Sequence, residues 1–390
     1  MKKLFPEIAV VCALLMVAGY GFAQTWTMTN TPFFPFVFVA ESADGKKILA
    51  IGSGAYLSTN SGVNWSYAFD SSSRCAAINA DGTRMIAGII TNYTGMLINI
   101  STNAGATWTP TALPNTNWNA CASSADGRVL AAAVGSNDSS PGGNLYTSTN
   151  FGTSWRTNNL VKNWRALASS ADGAKLAAAA ANDYVYLSTN SGLTWQPNGA
   201  TGSWRSVCSS IDGMHLAATG DSGTVVSTNG GSTWTPIKTG PMGFFNMNGS
   251  SVASSADGSR LVLDDNGSSI SISTNYGFSW NTTNISEQLF TSTSSSADGE
   301  RLFVGDEFNG GVWIWQANPS PNLSLISRSN NVTLSWLIPA TNLMVQQRTD
   351  LTAGSWVALT NFPALNYTNL QNQITMPSTN GSFFYRLASP

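Results

Sequence analysis

An eight-residue turn of the form S-T-N-x-G-x-x-W occurs six times in this 390-residue chain, first at Ser58 and last ending at Trp280. A second turn, S-A-D-G or a close variant, alternates with it and occurs seven times, with its aspartates at 44, 81, 126, 172, 212, 257 and 298. This spacing of 37 to 46 residues is typical of four-stranded propeller blades. No helical periodicity competes with it.

Each repeat predicts four antiparallel strands. In residues 164–199 they are WRALASS, KLAAAA, VYLSTN and LTWQP, joined at two places by D-G and S-G turns. The seventh repeat ends in VWIWQ without an S-T-N turn, whereas TWTMTNTP at 25–32 matches the fourth-strand sequence ATWTPTALP at 106–114. We therefore predict an all-β fold, with a seven-bladed β-propeller over 24–317 that the N-terminal strand closes.

The two ends of the chain differ from the repeats. Residues 1–23 have a basic start, an apolar run and small residues near Ala23, which predicts a cleaved secretory signal, with an uncleaved anchor as the alternative. We expect a secreted, periplasmic or cell-surface monomer without a stable membrane span after cleavage. From 318 to 390 the strands NVTLSWLIP, LMVQQRTD, SWVALT and SFFYRLAS predict a small β-sandwich. Its role would be that of a spacer, an adhesion module or a carbohydrate-binding module that uses Trp356.

Composition excludes several classes of function. Charged residues make up 10% of the chain and the formal net charge is −2, so no broad basic surface is present for nucleic acid. His215 is the only histidine, which excludes a His-rich metal site and a Ser-His-Asp triad, and we predict no metal or cofactor. Cys75, Cys121 and Cys208 are an odd number in alternating small and apolar strands, which favours buried free thiols and leaves their pairing open.

The S-T-N turn resembles the Asp box, or BNR repeat, S-x-D-x-G-x-[ST]-W, of sialidases, sortilin-type receptors and photosystem II assembly-factor propellers, over about residues 25–316. The resemblance implies hairpin corners away from the ligand face, with the tryptophan packed beneath the turn. Asparagine replaces the aspartate in every copy and removes the charge that a metal site would need. The structural residues implied are Asn60, Asn103, Asn150, Asn190, Asn229 and Asn275, with Trp65, Trp108, Trp155, Trp195, Trp234 and Trp280. The C-terminal segment resembles a fibronectin type III-like module, with Trp336 and Tyr385 in its core.

Arginines and aromatic residues recur at the start of the first strand of several repeats, seven and eight residues before the S-A-D-G aspartate. On the face opposite the turns they predict a rim at one mouth of a central channel, together with acidic residues of the variable connections. The candidates are Arg74, Trp118, Trp164, Arg165, Trp204, Arg205, Asp221, Asp265 and Asp306. Two interpretations remain open: a ligand or partner site, or aromatic side chains packed between blades with arginines lying over them.

No catalytic constellation is evident. Sialidases have an F/Y-R-I-P motif near the first inner strand, where this chain reads TPFFPFVF, and Glu41 and Glu300 flank S-A-D-G turns on the face away from the expected pocket. Sialidase activity is therefore not expected, and no catalytic residue is assigned. The first hypothesis is a non-enzymatic binding or scaffold propeller for a protein or glycan partner. The alternatives are a glycoside hydrolase or lyase using Asp221, Asp265 or Asp306, and an assembly factor for a membrane-protein complex.

Overall fold

The computed structural model describes residues 26–32, 36–70, 75–91, 95–135, 142–237, 251–264, 269–284, 290–307, 310–317, 323–328, 331–337, 344–349, 355–361, 363–367, 370–377 and 383–388. The regular secondary structure in these ranges is entirely β. Within them no helix has the length and apolarity needed to cross a membrane. The predicted signal over 1–23 lies outside the described residues.

Seven four-stranded antiparallel sheets make up the larger part of the described chain, numbered here 1 to 7 along the sequence. Sheet 1 contains β2 (Phe36–Glu41), β3 (Ile48–Gly52), β4 (Ala55–Ser58) and β5 (Ser66–Phe69). Sheet 2 contains β6 (Ala76–Ile78), β7 (Met85–Thr91), β8 (Gly95–Ser101) and β9 (Thr109–Pro110). Sheet 3 contains β10 (Trp118–Ser123), β11 (Leu130–Val134), β12 (Gly143–Ser148) and β13 (Arg156–Lys162).

The remaining four sheets repeat this arrangement. Sheet 4 contains β14 (Trp164–Ser169), β15 (Leu176–Ala180), β16 (Asp183–Ser188) and β17 (Gln196–Gly202). Sheet 5 contains β18 (Trp204–Ser209), β19 (Leu216–Gly220), β20 (Gly223–Ser227) and β21 (Thr235–Ile237). Sheet 6 contains β22 (Val252–Ser254), β23 (Leu261–Asp264), β24 (Ser269–Ser273) and β25 (Asn281–Asn284). Sheet 7 contains β26 (Phe290–Ser295), β27 (Arg301–Asp306), β28 (Val312–Gln316) and β1 (Trp26–Met28), with Trp26 paired opposite Trp315.

The S-A-D-G turns join the seven sheets in a closed cycle. The N–H of the second residue in each turn donates to the carbonyl of its counterpart in the next sheet, over distances of 2.7 to 3.0 Å. Ala297 of sheet 7 completes the cycle by donating to Ala43 of sheet 1. The first strands of successive sheets also contact one another, and β26 contacts β2. We call these seven residues the alanine ring: Ala43, Ala80, Ala125, Ala171, Ile211, Ala256 and Ala297.

Hydrogen bonds explain the residue types of the S-T-N turn. In the third copy, the Ser148 hydroxyl donates to Asn150 Oδ1 at 2.9 Å and accepts the Gly152 N–H at 2.9 Å. Asn150 Oδ1 also accepts the Ser154 N–H, while Asn150 Nδ2 donates to Ser154 Oγ, both at 2.9 Å. Trp155 Nε1 donates to the Gly152 carbonyl at 3.0 Å. The turn therefore satisfies its own polar groups and uses them for structure.

Asparagine rather than aspartate suits this turn because the amide donates as well as accepts. The residue directly before the tryptophan is serine or threonine in five of the six copies, and its hydroxyl accepts the asparagine Nδ2–H in each of these five. An aspartate would supply the same acceptor oxygen without that donor.

Replacement of Asn150 by alanine should lower the free energy of unfolding by about 1–2 kcal/mol, because the three hydrogen bonds of its side chain are lost. Asn150→Asp should cost less than half of this, since the Ser154 hydroxyl can reorient and donate to a carboxylate. Equilibrium unfolding in urea compares the two variants. Equal losses would contradict the role given to the acceptor oxygen, and Ser154→Ala serves as the control for the donor alone.

The cysteines differ from the predicted free thiols. Cys75 and Cys121 form a disulfide with a Cα–Cα distance of 5.1 Å, so the prediction is wrong for this pair. They are 46 residues apart, about one repeat, and therefore lie side by side at the first strands of adjacent sheets. Cys208 is free and buried, and burial raises the pKa of its thiol to about 12. Its thiol is thus held in the neutral form.

Two smaller sheets follow in the chain. One contains β29 (Ser324–Arg328), β30 (Asn331–Leu337), β34 (Gln371–Pro377) and β33 (Ala364–Asn366). The other contains β32 (Val357–Ala358), β31 (Met344–Arg348) and β35 (Phe384–Ala388). A common core of Leu334, Trp336, Val345 and Ile374 lies between them, with Tyr385 packed against it, and Trp336 is buried.

This C-terminal module closes one end of the alanine ring. Leu370, which is 8% exposed, packs on the ring alanines together with the partly buried Leu365. Beside this contact the Tyr367 hydroxyl donates to Asp81 Oδ2 at 2.8 Å, and this hydrogen bond raises the pKa of Tyr367 to about 12. Small ring residues leave room for one leucine side chain over the opening. The module is therefore in direct contact with the repeats, which its interpretation as a spacer did not anticipate.

Candidate binding channel

The first strands of the seven sheets surround a channel with two neighbouring parts, of about 420 Å³ and about 180 Å³, that share lining residues. The residues that line it include many of those seven, five, three and one positions before the S-A-D-G aspartates, which follow one another along the strands as successive layers. The outermost layer, the mouth row, includes Asn119, Arg165, Arg205 and Thr291. The apolar row below it contains Val39, Ala76, Cys121, Leu167, Val207, Val252 and Thr293. The serine row contains Glu41, Ile78, Ser123, Ser169, Ser209, Ser254 and Ser295, and the alanine ring follows.

The mouth row brings together two of the predicted arginines. Arg205 forms a two-point ion pair with Asp221, with Nε–Oδ1 at 2.8 Å and Nη2–Oδ2 at 3.0 Å. The Ser203 hydroxyl donates to the same carboxylate at 3.1 Å. The Arg205 hydrogen bonds chiefly lower the pKa of Asp221, and the charge of Arg165 contributes to the same shift. Asp221 therefore stays ionised and orients Arg205, a poor arrangement for a general acid.

The predicted tryptophans do not lie at the mouth. Trp118, Trp164 and Trp204 are at most 2% exposed. Trp164 packs edge-on against Tyr186 with ring centroids 5.3 Å apart, and its Nε1 donates to the Gly143 carbonyl at 3.0 Å. These side chains fill the spaces between sheets, so they are unavailable to a ligand and fit the packing interpretation.

A β-bulge separates Trp164 and Trp204 from the arginines that follow them. The pairing of β14 with β15 shifts register between Trp164 and Ala166, and β18 shifts in the same way between Trp204 and Ser206. A bulge turns neighbouring side chains in different directions. The aromatic ring therefore enters the interface between sheets, whereas the arginine lines the channel.

The other predicted residues are not brought to one site. Asp306 is 0% exposed within sheet 7 and is not among the residues that line the channel. Arg74 and Asp265 lie outside the described residues. Glu307, next to Asp306, does line the mouth. Among the residues that the structure describes, no group of three or more His, Cys, Asp or Glu is placed to hold a metal ion.

Glu41 is the residue that the sequence interpretation misplaced. Its carboxyl lines both parts of the channel, where the Ser294 hydroxyl and the Ser295 N–H donate to it. Desolvation raises the pKa of Glu41 well above its ordinary value. Glu41 stands on the same side of its strand as Val39 of the apolar row, which lies two residues before it. The alternation of side chains along a strand could therefore have placed it in the channel.

Comparison with known proteins identifies the fold. Neither a protein-family model nor a curated protein matches this sequence. The structure of YCF48 bound to a D1 peptide is similar, with a TM-score of 0.55 and 12% identity, over 80% of this chain and 100% of that one. The GH74 xyloglucanase from Xanthomonas campestris is similar with a TM-score of 0.57 and 13% identity, over 80% of this chain and 59% of that one. The protein is a β-propeller.

Proposed function

We propose that this protein is a binding propeller which holds a carboxylate-bearing segment of a protein partner at the mouth row. The observation that carries the proposal is the orientation of Arg205 by Asp221, beside Arg165, at the open end of a channel. Asp221 uses Nε and Nη2 of the guanidinium, so the Nη1 edge is held in a defined direction. Arginine in a fixed plane is well suited to a carboxylate.

We also propose the following architecture and location for the protein. The seven sheets are the blades of one ring that the N-terminal strand closes, and the S-T-N turns are Asp-box-like corners. The segment 318–390 is a fibronectin type III-like module that covers the alanine ring. A signal over 1–23 directs export, and the protein acts as a monomer outside the cytoplasm. The similar fold of YCF48, which is bound to a D1 peptide, supports a peptide as the class of ligand. The proposal therefore includes a role as an assembly factor for a membrane-protein complex.

An array of peptides of varied sequence, each made with a free C-terminal carboxylate and with an amide, tests the proposal. We expect the full chain to bind some free-acid peptides, and Arg165→Glu with Arg205→Glu to weaken them by about tenfold or more. Arg156→Glu is the matched control, because Arg156 is exposed on the outer strand of sheet 3. Equal binding by the double variant, or equal binding of the acid and amide forms of peptides that contain no Asp or Glu, would contradict the proposal.

A glycoside hydrolase or lyase is the second candidate, and the fold shared with a xyloglucanase is the observation in its favour. The ion pair of Asp221 and the burial of Asp306 leave Asp265 as the remaining predicted carboxylate. Turnover of xyloglucan by the wild-type protein, lost in Asp265→Asn, would replace the binding proposal with this one.

A further inference from the structure

The serine row presents acceptor oxygens to the channel. Each of its five serine hydroxyls donates to the carbonyl of the next residue in the chain, at 2.8 to 3.0 Å. A hydroxyl has one proton, so its lone pairs are what remain for a ligand. A group held by this row must therefore donate several hydrogen bonds.

Glu41 supplies the one carboxyl of the row, in sheet 1. The strands packed against β2 are β3, β6, β26 and β27, and only β27 carries charged residues, Arg301 and Asp306. Arg301 points to the turns, where Nη1 donates to the Asp44 carbonyl at 3.0 Å and to Ser61 Oγ at 3.2 Å. Asp306 lies at the other end of β27, paired with Phe290. Among these strands nothing cationic faces the Glu41 carboxyl.

The surroundings of the row restrict how a ligand can enter. Leu370 covers the alanine ring on one side. On the other side the apolar row, with Leu167, Val207 and Val252, lies between the serine row and the mouth. Glu307 stands at that mouth together with the two arginines, so the entrance carries both signs of charge. A ligand that enters here must pass an apolar layer before it reaches the acceptors.

We propose that the serine row binds a primary ammonium group on an aliphatic stem, with Glu41 as its counter-ion. An ammonium has three N–H donors and no acceptor, which complements a row of lone pairs and one carboxylate. The stem lies in the apolar row. The ligand is an alkylamine or the side chain of a lysine on a partner. The inference does not depend on carboxylate binding at the mouth row.

Burial raises the pKa of Glu41, which favours the protonated carboxyl while no cation is bound. Binding of the cation ionises it: the carboxyl proton leaves to solvent, and the carboxylate pairs with the ammonium. Binding is therefore coupled to proton release and strengthens as the pH rises through the pKa of Glu41.

Isothermal titration of the full chain with n-hexylammonium chloride, in buffers of different ionisation enthalpy, tests the site. We expect saturable binding with proton release, and about tenfold or more weaker binding of 1-hexanol, which has the same stem without the charge. Glu41→Gln should weaken n-hexylammonium by a similar factor and abolish the proton release. Glu41→Ser, with the residue found at this position in five other sheets, is a second variant that suits the fold.

Three results would overturn the proposal: no saturable binding of n-hexylammonium, equal binding to Glu41→Gln, or equal binding of 1-hexanol. Calcium chloride binding to Glu41 as tightly as n-hexylammonium would also overturn it in favour of a metal site. Nα-acetyl-lysine methylamide distinguishes the two possible sources of the ammonium group. If it binds more tightly than n-hexylammonium, the ligand is a lysine of a partner; if it binds more weakly, the ligand is a free alkylamine. The Arg165→Glu, Arg205→Glu protein should retain n-hexylammonium binding, which separates this site from the mouth row.

Discussion

Trp164→Ala is expected to lower the free energy of unfolding by about 3–5 kcal/mol, the usual range for removing a large aromatic side chain from a packed core. Trp164 is 0% exposed and packs with Ala133 and Leu145 of sheet 3 and with Tyr186 of its own sheet. Its removal leaves a cavity between two sheets and also leaves the Gly143 carbonyl without the indole donor. Chemical denaturation followed by fluorescence measures the loss.

The control for this prediction is Leu193→Ala, because Leu193 is 50% exposed at a turn of the same sheet. Its effect should stay within about 0.5 kcal/mol. A stable Trp164→Ala protein that had lost ligand binding would instead favour the rim interpretation of this tryptophan. Trp164→Phe should lie between alanine and wild type, since it retains most of the ring volume.

Removal of the disulfide is expected to have the second large effect on the free energy of unfolding. Cys75→Ser with Cys121→Ser should lower the free energy of unfolding by about 2–4 kcal/mol, since the bond closes a loop of 46 residues and restricts the unfolded chain. A reducing agent should destabilise the wild-type protein by a similar amount and leave the double variant unchanged. Both are measured by thermal or chemical unfolding.

Cys208→Ala is the matched variant here, because it removes a buried thiol but keeps the disulfide. We expect this variant to remain sensitive to the reducing agent. A wild-type protein whose unfolding is unaffected by reduction would contradict the pairing of Cys75 and Cys121.

The local organisation of the repeats followed from the sequence. In residues 164–199, the predicted strands correspond to Trp164–Ser169, Leu176–Ala180, Asp183–Ser188 and Gln196–Gly202, although the last begins later than LTWQP suggested because Leu193 and Trp195 belong to the turn region. The mouth row also followed from alignment on the S-A-D-G aspartate, since Arg165 and Arg205 line one cavity. Both inferences use short-range patterns, which depend on neighbouring residues alone.

The different roles of adjacent residues could not be predicted from these short-range patterns. Trp164 and Arg165 are consecutive, yet a bulge directs one into the core and the other into the channel. The extra residue of a bulge leaves no clear signal in a sequence of small and polar residues. Of the predicted rim of arginines and tryptophans, the structure therefore places Arg165 and Arg205 at the mouth and the tryptophans in the core.

By itself the sequence determined an all-β chain of repeated four-stranded units, the position of its turns and the structural use of S-T-N, because turn chemistry and strand alternation are local. Only the tertiary structure decided which residues from distant repeats meet. It paired Cys75 with Cys121, placed Glu41 inside the channel and set Leu370 on the alanine ring. These contacts depend on how separate sheets are arranged around a common channel, and no single repeat encodes that arrangement.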